Sequence, residues 1–416
     1  MTASPAPQRS FAALRHPTYR SFFVVCVMAM MADNIEHVIS YWVLYQKFHS
    51  PTLAGIAVLT HWLPFLLFSV YSGALADRFD KRRLIQVAQA MFLFVSLGWA
   101  VLFHADQVEE WHAVVLLAIH GLAGVLWGPA VQLLIQEIVG SEQLQSAVRT
   151  NATARQLGIL MGPAVGGAMM LLLSPAAGLI VNAMLYLPII IWLARTPHGA
   201  RRPPAAGARK ASGFADTLAT LRIATGNRAL FTMIILAGVS SFFIGNAFQA
   251  QMPEFAHDLG TDEADHSYSM LLAANAGGAF LGGLLLESRS LLRARPTTAI
   301  VLAILWCLAI GGFALSENYL LSILLIFMAG FVNLAFNSMA QTLVQVHAPN
   351  ALRGRMIGLY NMANNGLRTF SGVTVGILGS VIGVHSSLAL SALLLLCIAL
   401  ALLAFSMRAA DSPDPG

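Results

Sequence analysis

Long apolar runs separated by short polar turns set the pattern of the whole chain. A helix needs roughly 20 apolar residues to cross a bilayer, and these runs have about that length. The pattern therefore predicts an all-α membrane protein with twelve transmembrane helices in two pseudo-symmetric bundles of six. The predicted spans are residues 20–46, 53–76, 84–104, 112–138, 147–173, 176–195, 228–252, 267–286, 297–315, 319–346, 355–383 and 386–407.

A polar segment rich in Pro, Gly, Ala and Arg separates the sixth run from the seventh. Its composition is typical of a linker, and its end predicts a short amphipathic helix. We therefore expect an N-terminal bundle over 1–195, a cytoplasmic linker over 196–227 and a C-terminal bundle over 228–416.

Composition excludes a soluble domain, because 57% of the residues are hydrophobic, only 10% are charged and the mean hydropathy is +0.71. The net charge of +5 comes from basic residues in predicted cytoplasmic loops, so we expect no nucleic-acid partner. The three cysteines all fall in apolar runs, which argues against a disulfide framework.

Lys and Arg predict the orientation, since cytoplasmic loops are enriched in both. With the N-terminus inside, nearly all loop bases fall on the cytoplasmic side, and Lys47 is the only base outside. The predicted location is the bacterial cytoplasmic membrane, with both termini in the cytoplasm.

The two groups of spans also repeat at an offset of 210 residues, which indicates a duplicated six-helix unit. The aligned pairs are Asn151 with Asn361, Gly162 with Gly372, Gly166 with Gly376, Gly73 with Gly283 and Asp77 with Glu287. Parallel repeats of this kind place a site near the midplane between the halves.

A charged turn, "GALADRFDKRRL", joins the second span to the third. Gly73 permits close helix approach, Asp77 can cap a neighbouring helix, and the bases can anchor the turn at the headgroups. A simple cytoplasmic anchor is the alternative interpretation.

A glycine-rich stretch, "LGILMGPAVGG", lies in the fifth span. Small residues let helices pack closely, and Pro removes one backbone hydrogen bond. Generic close packing is the alternative to a functional motif.

Both motifs resemble signatures of the major facilitator superfamily. Much of the chain, including "GPAVQLLIQEIVGSEQLQSAVRTNATARQLGILMGPAVGG" and "QTLVQVHAPNALRGRMIGLYN", looks like its transmembrane secretion effector branch, which includes enterobactin-type siderophore exporters. The resemblance implies transport by alternating access. It assigns the antiporter motif to Gly158, Gly162, Pro163, Gly166 and Gly167.

The resemblance also implies that Asp77 latches a cytoplasmic gate against the eleventh helix. The implied gate residues are Gly73, Asp77, Arg78, Arg82, Arg353 and Arg355. Two departures stand out: Asp80 replaces the family's usual Gly, and "LLAIHGLAG" has His120 before Gly121 but no Arg. The second departure puts the usual fourth-helix route of proton coupling in doubt.

Three ionisable residues, Asp33, Glu36 and His37, lie near the middle of the first span. Ionisable groups at such depth usually face a cavity or a partner. We predict Asp33 as the proton-coupling carboxyl; a structural ion pair of Asp33 with His37 or Arg368 is the alternative. Arg368 could equally bind an anionic substrate. The predicted cavity residues are Asp33, Glu36, His37, Tyr41, Arg368, Asn246, Asn337 and Asn361.

The expected function is proton-coupled export of a small amphipathic or siderophore-like compound. No nucleotide-binding or zinc-protease motif occurs, so we expect no enzyme activity, no catalytic residue, no cofactor and no resident metal. Protons and membrane lipids are the other expected partners, and we expect a monomer.

Three alternatives stay open. Asp33-Asn34 is faintly similar to lysophospholipid transporters, which would make the protein a lipid flippase. Met28, Met30, Met31 and His37 would suit a transition-metal route. A non-transporting membrane receptor is the third.

Overall fold

Helices form nearly all of the regular structure. The computed structural model describes residues 11–48, 51–197, 214–245, 248, 251–259, 264–289, 294–371, 374–375 and 378–408. The helices of the first half are α1 (Pro17–Phe48), α2 (Pro51–Arg78), α3 (Lys81–His104), α4 (Glu110–Val139), α5 (Leu144–Leu172), α6 (Pro175–Met184) and α7 (Leu187–Arg195). Those that follow are α8 (Phe214–Thr225), α9 (Arg228–Phe243), α10 (Met252–Asp258), α11 (Ala264–Arg289), α12 (Pro296–Ala314), α13 (Tyr319–His347), α14 (Arg353–Asn361), α15 (Arg368–Ser371), α16 (Leu378–Ile382) and α17 (Val384–Arg408).

Short polar side chains begin several of these helices by accepting a hydrogen bond from the first turn. The amide of Asn318 accepts from the backbone N–H of Leu321 at the start of α13, over 3.0 Å. Ser174 caps α6 in the same way, and Pro175 follows it at the first helical position, where a missing N–H costs nothing.

Within the described residues, eight helical segments are long and apolar enough to cross a membrane, and α9 and residues Met270–Leu286 are shorter apolar helices. Large apolar side chains on α3 point outward at a spacing of seven residues, with Val87, Phe94 and Val101 between 51% and 67% exposed. A row of this kind suits a helix face in contact with lipid.

Three predicted spans are interrupted. The run 176–195 breaks at residues 185–186, because Pro188 has no N–H to continue the helix ladder. The run 228–252 was predicted as one helix, but α9 ends at Phe243, and Gly245 has a φ of +47° that ends the helical path. The run 355–383 contains a π-helical turn at Met362–Gly366, where the N–H of Leu367 donates to the carbonyl of Met362.

Each half of the chain has its own apolar core. One buried cluster is drawn from residues 224–399 and adds only Val70 from the first half. A second cluster is drawn from residues 13–193 and adds only Ile357, and a third lies wholly within residues 35–179. Residues 1–195 are called the N-half below, and residues 228–416 the C-half.

Glycines allow the halves to meet closely. A Cβ added to Gly73 on α2 would overlap the carbonyl of Gly354 on α14, and one added to Gly358 would overlap the carbonyl of Ser69. A Cβ on Gly283 of α11 would overlap Thr153 of α5. Gly73 and Gly283, which the 210-residue offset aligns, therefore both lie where one half contacts the other.

Candidate transport site

The fourth helix brings a histidine between the two carboxyl groups of the first. Nε2 of His120 lies 2.8 Å from Oδ1 of Asp33, and Nδ1 of His120 lies 2.7 Å from Oε1 of Glu36. The side chains of His120 and Glu36 are 1% and 2% exposed, whereas that of Asp33 is 34% exposed. One end of the triad therefore contacts open space and the other end is sealed.

This geometry limits which of the three side chains can be protonated at the same time. A neutral imidazole has a single N–H, yet both ring nitrogens of His120 face carboxyl oxygens. If Asp33 and Glu36 are both ionised, the ring must be an imidazolium. If the ring is neutral, one of the two carboxyl groups must hold a proton. The three side chains are therefore a unit that can gain or lose a proton by shifting short hydrogen bonds.

Two further histidines adjoin this triad. Nδ1 of His37 lies 2.7 Å from the backbone carbonyl of Asp33, and because a carbonyl only accepts, that nitrogen carries the hydrogen. Nε2 of His37 then faces Nδ1 of His61 on α2, at 3.4 Å. The ring of Tyr41 packs edge-on against His37, with centroids 5.3 Å apart.

The absence of a side chain at Gly121 lets His61 lie beside the triad. A Cβ at Gly121 on α4 would overlap the backbone carbonyl of His61 and lie 3.0 Å from the ring of Pro64. Without a side chain there, α4 can lie directly against α2. His120 thus supplies a hydrogen-bond partner for both carboxyl groups, and Gly121 supplies the space for His61.

A sealed apolar wall covers the Glu36 end. The ring of Phe92 packs against His120 with centroids 4.6 Å apart, and Tyr186 stacks on Phe92 at 5.6 Å. Within the described residues, Oε2 of Glu36 is buried and has no hydrogen-bond partner. A buried acceptor without a partner is costly, so the hydrogen bond between His120 and Oε1 is the interaction that stabilises this carboxyl group.

Three of these histidines could also hold a metal ion, because His37, His61 and His120 each offer a nitrogen within 4.8 Å of the others. Carboxyl oxygens already engage both nitrogens of His120, so the cluster fits proton sharing better than metal ligation. The absence of a resident metal stays a prediction.

Arg368 lies elsewhere than the ion-pair alternative required. Its guanidinium carbon is 5.2 Å from the centroid of the Trp62 ring, and its Nε donates to the carbonyl of Asn364 over 3.0 Å. The carboxyl of Asp33 instead bonds to His120, and His37 bonds the backbone carbonyl of Asp33 rather than its carboxyl group. Neither proposed ion pair of Asp33 is the one found.

The predicted polar cavity residues separate into different groups. Asn337 donates to the carbonyl of Asn333 within α13, over 3.0 Å. Asn361 is buried, and its amide oxygen lies 3.5 Å from Nε2 of Gln132 on α4, across the two halves. Asn246 lies outside the described residues.

The glycine-rich stretch of α5 packs against α1 beside the triad. A Cβ on Gly158 would lie 2.7 Å from the backbone of Met30, and one on Gly162 would overlap Asn34. A Cβ on Gly166 would have more room, since it would lie 3.4 Å from Val38. No described atom lies within 4 Å of a Cβ on Gly167. Pro163 lies within the same helix. The motif thus positions the segment of α1 that carries Asp33, Glu36 and His37.

Asp77 contacts the start of α14 in the other half. Oδ1 of Asp77 accepts from the N–H of Gly354 over 2.6 Å, and Oδ2 accepts from the N–H of Arg355 over 3.0 Å. A carboxylate on two free N–H groups of a helix start is a charge-assisted cap. The contact has the partners expected of a latch; its role in gating stays a prediction.

The other predicted gate residues have different partners. Arg78 is half-buried at the end of α2. The side chain of Arg353 donates to the carbonyl of Gln345 over 3.1 Å and to the side-chain oxygen of Asn350 over 2.5 Å. These contacts hold the turn before α14 in the shape that presents its N–H groups.

Asp80 and Arg82 form a separate pair. Nη2 and Nε of Arg82 lie 2.8 and 3.1 Å from the two oxygens of Asp80, and Nη1 donates to the carbonyl of Thr196 over 2.7 Å. Burial acts to raise the pKa of Asp80, but the hydrogen bonds from Arg82 outweigh it and hold the pKa below its usual range. Arg82 therefore binds α3 to the end of α7 and pairs with Asp80 rather than with Asp77.

Solved structures with the same fold are membrane transporters. The human organic anion transporter MFSD10 aligns with a TM-score of 0.73 at 14% identity, over 92% of this chain and 99% of that one. The fucose:proton symporter FucP of E. coli aligns with a TM-score of 0.69 at 13% identity, over 92% of this chain and 98% of that one. The fold is that of the major facilitator superfamily, and the chain is a multi-pass membrane protein.

The family model for the transmembrane secretion effector matches residues 8–415, so the chain belongs to that family. The enterobactin exporter EntS of Shigella boydii is 24% identical over 404 residues, which cover 93% of this chain and 91% of that protein. The staphyloferrin A transporter of Staphylococcus aureus is 22% identical over 189 residues, which cover 44% of this chain and 48% of that protein. The protein is a transporter and not an enzyme.

His120 and His61 are the residues of this site that sequence reasoning missed. A signal for His120 existed: it is a histidine in the middle of the most apolar part of α4, with a glycine beside it. Its partners are 84 and 87 residues away, so nothing local identified them.

Proposed function

We propose that this protein is a proton-coupled exporter of a small amphipathic or siderophore-like compound. The observation that carries the proposal is His120 held between Asp33 and Glu36 inside a transmembrane helix bundle. A proton taken up at the exposed Asp33 can pass through the ring of His120 towards the sealed Glu36. The similarity to the enterobactin exporter and the staphyloferrin A transporter supports the substrate class and the direction.

In this proposal twelve helices form two six-helix halves, with a linker over 196–227 and both termini in the cytoplasm of a bacterial cell. The halves rock around the site between them. The bonds of Asp77 to Gly354 and Arg355 would hold the cytoplasmic side closed while the triad is open to the outside. Proton entry then precedes opening to the cytoplasm, where the substrate is collected.

The test is transport by the purified full-length protein in proteoliposomes, with a panel of siderophore-like and amphipathic compounds. We expect an imposed pH gradient to drive accumulation of at least one compound against its concentration gradient, with proton movement in the opposite direction. A dye inside the vesicles would report the protons. Accumulation that is the same with and without the pH gradient would contradict the proton coupling. Movement of a fluorescent lysolipid alone would favour a lipid flippase.

A further inference from the structure

Two arginines in the predicted spans form no ion pair with a carboxylate among the residues that the structure describes. Arg155 lies on α5 and Arg368 on α15, and neither forms an ion pair with a described side chain. A cation within a membrane-spanning helix is costly, so such residues normally pair with an anion or face a cavity. The missing negative charge is therefore the first clue to a ligand.

Arg368 is held in place by an unusual backbone. The π-helical turn Met362–Gly366 precedes it, and such turns often occur at functional positions. The carbonyl of Asn364 accepts from both Nε of Arg368 and the hydroxyl of Ser241, over 3.0 and 2.5 Å. A Cβ on Gly366 would lie 2.6 Å from Leu66, so this turn presses against α2.

An aromatic surface from the opposite half lies under the guanidinium. Trp62 of α2 is half-buried, and its ring lies 5.2 Å from the guanidinium carbon of Arg368. The rings of His61 and Phe65 flank Trp62, with centroids 4.7 and 5.3 Å away. A flat ring entering here can stack on the indole while its anionic group meets the guanidinium.

Arg155 adds a second positive charge from the N-half. It lies on the side of α5 that carries Asn151 and Gly158, which contact Cys26 and Met30 of α1. Its side chain is exposed. Thr153, two residues before it on α5, contacts Gly283 of the C-half, so Arg155 lies near the boundary between the halves.

We infer that Arg368, Arg155 and Trp62 form the substrate site and that they bind an anion carrying a flat aromatic group. The inference names the substrate class of the proposed exporter, and it rests on that function. Two arginines can hold a carboxylate or phenolate, and the indole distinguishes an aromatic ring from a saturated one. Because the halves contribute different residues, a bound substrate joins them across the rocking interface.

The experiment measures binding to the purified full-length protein in detergent by isothermal titration calorimetry. The probes are 2-naphthoate, the neutral 2-naphthamide of the same shape, and the saturated anion cyclohexanecarboxylate. We expect 2-naphthoate to bind most tightly. Arg368→Gln should weaken 2-naphthoate binding at least about tenfold and leave 2-naphthamide unchanged, because one charged hydrogen bond is lost. Trp62→Leu should remove the preference for 2-naphthoate over cyclohexanecarboxylate.

Arg228→Gln is the matched control, since Arg228 also lies 5.2 Å from an aromatic ring, that of Phe405, and we expect it to bind like the parent. Arg155→Gln and Arg368→Lys provide further variants if Arg368→Gln does not fold, and both should weaken 2-naphthoate. Equal binding of the anion and the amide, or unaltered binding by the arginine variants, would overturn the inference. Proton-driven export of another compound would then leave the proposed function standing, whereas tight 2-naphthoate binding without proton-driven transport would contradict the function alone.

Discussion

His120 has two carboxyl partners, and this changes how each partner can be tested. Asp33 and Glu36 both bond to it, so removing one acid leaves the ring with the other. Removing both carboxyl groups would leave the buried ring without a hydrogen-bond partner, but removing one leaves the other in place. Function and folding can therefore be separated residue by residue.

We predict that Asp33→Asn keeps a stable fold and loses accumulation driven by a pH gradient. The amide that replaces the carboxyl group can still accept from His120, but it cannot carry a proton. Counterflow exchange of substrate should persist, because exchange needs no net proton movement. Thermal unfolding and counterflow on the same preparation test this. A strongly lowered unfolding temperature would support a purely structural pair, and retained accumulation would show that Asp33 is not the coupling site.

His120→Gln should also abolish accumulation, since a glutamine amide can donate to only one of the two carboxyl groups and presents its oxygen to the other. We expect a loss of stability of about 1–3 kcal/mol as well, because a buried hydrogen bond is broken. His347→Gln is the control, since Nδ1 of His347 bonds the carbonyl of Leu343 in its own helix, at 2.9 Å. Proton-driven uptake by His120→Gln at the parent's rate would contradict the relay.

At the scale of helices, α5 affects the site by fixing the position of α1. The glycines at 158 and 162 leave the space that Met30 and Asn34 occupy, directly beside Asp33 and Glu36. A side chain there would push α1 away from α4, and hydrogen bonds of 2.7–2.8 Å to His120 would lengthen. The antiporter motif would then affect coupling without touching a proton or a substrate.

Gly162→Ala should reduce proton-driven transport and destabilise the fold by about 1–3 kcal/mol, as overpacking of a close contact usually does. Gly167→Ala, further along the same helix, should be neutral, because no described atom lies within 4 Å of the added Cβ. Flux and thermal stability of the two variants form a direct comparison. Equal behaviour of the pair would show that close packing at Gly162 is not what the motif provides.

At the scale of the whole molecule, the two halves meet through backbone groups. Gly354 and Arg355 offer N–H groups to Asp77, and Gly73 leaves room for Gly354 to approach. Backbone contacts of this kind break and re-form with little rearrangement of side chains. They suit an interface that must open in each transport cycle.

Asp77→Asn should weaken the closed cytoplasmic side while leaving membrane insertion intact, because an amide caps a helix start less strongly than a carboxylate. Double electron–electron resonance between nitroxide labels at Ser141 and Ala351, exposed residues in short turns of the two halves, would measure it. We expect a larger share of long distances in the variant. Asp80→Asn is the control, since Asp80 bonds Arg82 within its own half. Unchanged distance distributions for Asp77→Asn would exclude the latch.

The sequence by itself determined the long apolar helices and identified the ionisable residues that need a partner or a cavity within them. Apolar length predicted the long helices, glycine and proline spacing predicted the close packing of α5, and depth in the first span identified Asp33 and Glu36. These features are local, because hydrophobicity, helix spacing and backbone bulk act over a few neighbouring residues. The similarity to the superfamily extended them to a transport mechanism.

Only the tertiary structure decided which of these groups contact one another. Glu36, Asp33 and His120 converge because α1 and α4 cross at that level, and Gly121 lets His61 join them. Arg368 lies on Trp62 of α2, whereas the carboxyl group of Asp33 bonds to His120. Contacts between distant helices depend on crossing angles and on the fit of side chains along both partners, which no single segment of the sequence contains.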